Sequence, residues 1–125
     1  MEAHHADAPM RALYADIQRT LGLPFVNTDY RALARWPSYF AMAWRQLAPK
    51  VGSDTYREVC AGLHADVLER VAHALPNPAA LRGAALREAA AADAPLDEVV
   101  AVARLFQWLL PGLVTHVAYL RAQLA

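Results

Sequence analysis

The chain has 125 residues, 57% of them hydrophobic, and its 12 basic and 12 acidic side chains leave a formal net charge of zero. That length supports one domain with a single core, and a neutral chain offers no electrostatic footprint for nucleic acid or an anionic membrane. Cys60 is the lone cysteine, which excludes a disulfide framework, a CxxC redox pair and a cysteine zinc site and makes a reducing, cytoplasmic setting the expectation.

The opening "MEAHHADAPM" has neither the basic start nor the apolar run of a signal peptide. Residues 1–9 are expected to be disordered, and one helical domain is expected from 10 to 125. In "MRALYADIQRTL", residues 10 to 21, Leu13, Ile17 and Leu21 recur every four residues, an amphipathic helix that Gly22 ends. Pro24 forces an extended approach through Leu23. Asn27 or Thr28 then caps a helix that begins around Asp29 and turns Leu33 inward. Pro37 opens the next helix, which reaches about Ala48 and is closed by Pro49.

Residues 53 to 75 give the longest helical pattern. Thr55 and Glu58 read as a capping box, and Val59, Leu63, Val67 and Val71 make an i, i+4 stripe. "PNP" at 76–78 is a turn, and an Ala-rich helix spans roughly 79–92. Pro95 and Asp97 start a last helix, kinked near Pro111 and Gly112. No alternating strand pattern and no internal repeat competes, so an all-α fold of five or six helices is predicted.

Residues 105–120 are the one candidate membrane span. They fall short of the ~20 apolar residues a span needs and include Gln107, Pro111 and His116, so a buried helix and no membrane partner are expected. The hydrophobic share exceeds the ~45–50% usual for soluble domains. That excess predicts an apolar face that becomes a subunit interface.

The common chemical motifs are missing. His4 and His5 lie in the expected disordered start, His64 and His73 are nine apart, and His116 stands alone on an apolar helix, which suits a core or interface histidine better than a metal ligand. There is no HExxH, no Gly-rich phosphate loop and no nucleophile elbow. No metal and no cofactor is therefore expected. Trp36, Trp44 and Trp108 are spaced as core residues. What stands out is "LGLPFVNTDYRALARWPSYF", residues 21 to 40, where Asn27, Thr28 and Asp29 sit between an apolar tripeptide and several aromatics.

Residues 14 to 49 resemble the repeated unit of the group I 2-haloacid dehalogenases. The shared elements are the Asp16-Ile17-x-x-Thr20-Leu21 helix end, Pro24-Phe25-Val26, Arg31-x-Leu33-Ala34, Pro37 and Trp44-Arg45. The likeness tapers into general helical similarity toward residue 125. The family is all-α and is unrelated to the Rossmann-like haloacid dehalogenases. Its members carry two such repeats, about twice this length, with the active site between them. The resemblance implies a single-repeat member of that fold. It places the family's water-activating aspartate on Asp29, preceded by Thr28 and followed by the Ala32-Leu33-Ala34-Arg35-Trp36-Pro37 segment. Phe25 corresponds to a pocket-lining aromatic of the other repeat. An asparagine that helps orient the water falls on Leu110, with Gln107 one turn away as the nearest substitute.

For such chemistry a carboxylate deprotonates a water held at hydrogen-bond distance, or attacks directly and forms an ester. The resemblance implies the first route, with inversion at carbon. Asp29 is thus the candidate base, with Phe25, Asn27, Thr28, Tyr30, Trp44 and Gln107 as candidate substrate contacts. Free N–H groups around Thr28–Tyr30 are candidates for the substrate carboxylate. A helix start stabilises the Asp29 anion and burial among aromatics opposes it; sequence leaves the balance open, as it does Asp29 being no more than a first-turn acid. Two functions follow. One is hydrolytic dehalogenation of short 2-halocarboxylic acids, by a homodimer whose twofold replaces the relatives' internal one. The other is a non-catalytic helical homodimer that binds a small carboxylate or serves as an interaction module.

Overall fold

The computed structural model describes residues 1–76, 80 and 82–125, and no strand occurs among them. Helix α1 runs Ala8–Leu21, α2 Thr28–Leu33, α3 Pro37–Leu47, α4 Asp54–Ala74, α5 Gly83–Asp93 and α6 Leu96–Gln123, with 3-10 turns at Ala3–His5 and Ala48–Lys50. The chain divides into two compact units, Met1–Tyr56 with Tyr119–Ala125, and Arg57–Ala118.

In the first unit, Asp7 caps α1 by accepting the Met10 N–H at 2.9 Å. Gly22 closes it at φ +65°, the left-handed conformation that favours glycine, and returns its N–H to the Gln18 carbonyl. The inward stripe of α1 is Met10, Tyr14 and Ile17; Leu13 and Leu21, expected inward, are only half-buried. Likewise α2 buries Tyr30 and the following Ala34, one turn apart, and leaves Leu33 at its margin. Helix α3 begins at Pro37, whose missing N–H is harmless in a first turn, and buries Phe40, Trp44 and Leu47. Each such large side chain contributes about 1.5–3 kcal/mol by leaving water, so this unit holds most of the buried apolar volume.

The N-terminal segment makes contacts with α1 and α2. Ala6 is buried, the Tyr14 hydroxyl donates to the Met1 carbonyl at 2.8 Å, and the Met1 amine donates to the Arg31 carbonyl. Arg31 also donates to both oxygens of Glu2 at 2.6 Å.

The second unit is thinly cored. Within it only Cys60, Leu109, Gly112 and His116 are buried among the described residues. Ser53, not Thr55, caps α4, accepting the Tyr56 N–H at 3.2 Å; the helix starts at Asp54, which places Thr55 already inside the first turn. The Val59, Val67 and Val71 stripe of α4 is exposed in the isolated chain. The expected "PNP" turn falls partly outside the described residues, as does the start of the Ala-rich helix, which is described from Gly83. Helix α6 runs unbroken through Pro111, where the Thr115 hydroxyl donates to the Pro111 carbonyl at 2.8 Å.

Two expectations are corrected here. Trp44 is a core residue, but Trp36 and Trp108 are more than half exposed. Helix α6 is not a buried helix: it is long and apolar enough by length and composition to cross a membrane, and most of it lies exposed. The polar residues that shortened the apolar run on paper do not interrupt the helix, which starts nine residues before that run.

Candidate active site

Asp29 sits in the first turn of α2, directly after the N-cap Asn27 and Thr28. Its side chain is half-buried. Burial raises its carboxyl above the ordinary value, and the N–H groups of Asp29 and Tyr30, which hold the anion, only partly oppose this. The two influences left open by the sequence are thereby decided in favour of desolvation. A six-residue helix offers little dipole, and its leading N–H groups are already engaged by Asp29 itself.

The neighbouring aromatics form one cluster. The Tyr30 ring lies nearly parallel to Phe40 with centroids 6.1 Å apart and meets Trp44 edge-on at 5.8 Å. Burial, and secondly the Asp29 charge, hold the Tyr30 phenol well above its usual range, so it is a neutral phenol at any working pH. The Trp44 indole N–H donates to the Asp16 carboxylate at 2.7 Å. Tyr30 and Trp44 are therefore core residues that back the α2 start and fix its position.

The remaining candidates differ in their surroundings. Phe25 lies in the extended segment before Asn27 and is partly exposed. Thr28 is exposed, and its hydroxyl accepts from Arg31 at 3.0 Å. Asn27 makes no side-chain cap bond; its Oδ1 is buried and has no partner. A buried acceptor in that state costs about 1–3 kcal/mol, which a bound water or ligand would recover. Gln107 belongs to the second unit, where its amide nitrogen lies 2.9 Å from His64 Nε2, and both line an apolar cavity of about 310 Å³ between α4 and α6.

Sequence reasoning missed two of these partners. Asp16 entered only as part of the Asp16-Ile17-x-x-Thr20-Leu21 helix end, and its bond to Trp44 spans 28 residues. His64 was weighed only against His73, whereas its partner lies 43 residues away. No spacing rule reaches that far; the one available signal was that a buried indole requires an acceptor.

The start of α2 thus carries a half-buried carboxyl raised by desolvation, Asp29, and, two residues before it, a buried amide oxygen without a partner, Asn27 Oδ1. No family model matches the sequence. The chain is 39% identical over 123 residues to an (R)-2-haloacid dehalogenase of Pseudomonas putida, covering 98% of this chain and 40% of that protein. It is 52% identical over 83 residues to an (R)-2-haloacid dehalogenase of Rhizobium sp. (strain NHG3), covering 66% of this chain and 32% of that one. Among solved structures, a D-2-haloacid dehalogenase mutant superposes with a TM-score of 0.78 at 36% identity, over 98% of this chain and 41% of the other. A D-2-haloacid dehalogenase in complex with L-LA gives 0.77 at 37%, over 98% and 42%. The chain thus spans about two fifths of the length of the relatives it matches. Its homologues are 2-haloacid dehalogenases, and it has the fold of one repeat of the group I family.

Proposed function

We propose that this chain hydrolyses short 2-halocarboxylic acids as a homodimer, with Asp29 as the base. The observation that carries the proposal is the half-buried Asp29 carboxylate, held above its ordinary value by desolvation. A carboxylate so placed is a better proton acceptor than a solvated one. Water gives its proton to Asp29 while its oxygen attacks C2 opposite the halogen. The C–O bond forms, the C–X bond breaks, and the halide leaves with the bonding pair, giving the inverted 2-hydroxy acid. The unpaired Asn27 Oδ1 is an acceptor suited to the second hydrogen of such a water. Phe25 supplies apolar wall, Thr28 borders the site, and Tyr30 and Trp44 hold α2 from behind. Gln107, held to His64 in the second unit, is assigned no part in this step. No cofactor is needed by this route.

A second function, a non-catalytic dimer of the same fold that binds a small carboxylate, is favoured by one feature: apolar, exposed Leu110 occupies the position that the family resemblance assigns to a water-orienting asparagine. Halide release from both enantiomers of short 2-halo acids separates the two. Wild type is expected to release halide, and Asp29→Asn to lose it by about 100-fold or more with unchanged helical content. Equal release by both proteins would remove Asp29 from the chemistry. Carboxylate binding without release by wild type would establish the second function instead.

A further inference from the structure

Helix α6 carries a pattern that the Asp29 site does not use. Val99, Ala103, Phe106, Leu110, Leu113 and Val117 follow one another at alternating steps of four and three, the a/d rhythm by which one helix seats against another. In the isolated chain this stripe faces solvent, with Phe106 44% and Leu110 53% exposed. Beside it α4 and α6 open the cavity of about 310 Å³, walled by Leu63, Val67, Phe106, Leu110, Pro111 and Val114. The two polar side chains in its lining, His64 and Gln107, bond to each other at 2.9 Å. Each therefore keeps one partner when apolar material covers the cavity.

We infer that a second copy of this chain docks along the α6 stripe, so that an apolar side chain of each copy enters the α4–α6 cavity of the other. The inference deepens the homodimer of the proposed function and rests on it. Three observations favour a second copy over other occupants. Net charge is zero, so two copies do not repel. The stripe is uncharged along its length and lies beside its own cavity, so a twofold axis brings stripe and cavity of each copy to the other. The area also suffices. Val67, Val99, Phe106, Leu110, Val114 and Val117 are each about half exposed, presenting on the order of 80–100 Å² apiece. That is about 500–600 Å² per copy and ~1,100 Å² for the pair, above the ~1,000 Å² that marks a specific interface.

Sedimentation of the full chain at micromolar concentration tests the inference, alongside three variants. Wild type is expected at twice 13.7 kDa. Phe106→Glu is expected at the single-chain mass with unchanged helical content, because the position is exposed and Glu is a good helix former. Leu110→Cys, near the middle of the stripe, is expected to cross-link to its mate under mild oxidation; Trp36→Cys, equally exposed on α3's N-cap, is not. The cross-link also decides the matter if Phe106→Glu fails to fold. A dimer that survives Phe106→Glu without a Leu110→Cys cross-link, or with Trp36→Cys linking as readily, would overturn this surface and leave the homodimer standing. A wild-type monomer would overturn both, as would a monomer that floats with phosphatidylcholine vesicles and so covers α6 with lipid. Halide release is read separately, so loss of the surface and loss of the Asp29 chemistry are distinguishable.

Discussion

His116 sets a pH limit on stability. It is 1% exposed on α6, and burial pulls its imidazole from the ordinary 6.5 down to about 4. The folded value lies below the unfolded one, so on acidification the unfolded chain takes up the proton first. The stability concerned is fully present above pH 6.5 and is lost as pH falls toward 4. The separation corresponds to about 3 kcal/mol in full, and to about 2 kcal/mol between pH 7 and pH 5. For a domain of this length that is a fall in Tm of roughly 8 °C. Thermal unfolding followed by circular dichroism at pH 7 and pH 5, at fixed protein concentration, measures it. His116→Gln is expected to remove most of the difference between the two pH values, whatever its own Tm. Asp29, with its carboxyl raised, acts in the opposite sense at lower pH, because there the folded state binds the proton first; it is present in both proteins and cancels. An identical pH dependence in wild type and His116→Gln would refute the assignment of that stability to a buried neutral imidazole.

Two further outcomes follow from the first unit. Asp16→Ala removes the acceptor of the buried Trp44 N–H and is expected to cost about 1–3 kcal/mol in urea unfolding; a loss near zero would mean that water replaces the carboxylate. Because burial raises the Asp29 carboxyl and the base works deprotonated, the acid limb of a pH–rate profile is expected above the value of a free aspartate. A limb at or below the value of a free aspartate would contradict the desolvated site.

Much of the fold was legible because its signals are local. Gly22 ends α1, Pro37 opens α3 and the long period from residue 53 forms α4, since caps, proline φ and helical periodicity act within a few residues. Inward faces were less legible. Periodicity shows that a stripe exists, but Leu13 and Leu21 of α1 were displaced from the core by Met10 and Tyr14, and that choice belongs to the neighbours.

At the site, the sequence alone determined that Asp29 opens a helix after a polar triplet and that aromatics follow at helical spacing. Only the tertiary structure decided the protonation balance of Asp29, because desolvation depends on what packs over a carboxylate and not on its place in the chain. The same holds for the tryptophans. Trp44 is buried against Asp16 while Trp36 and Trp108 stand exposed, although all three read alike in sequence. Hydrophobicity fixes what a residue favours; whether one chain holds enough partner surface to cover it is a property of the folded body. The exposed faces of α4 and α6 are where this chain runs short of that surface.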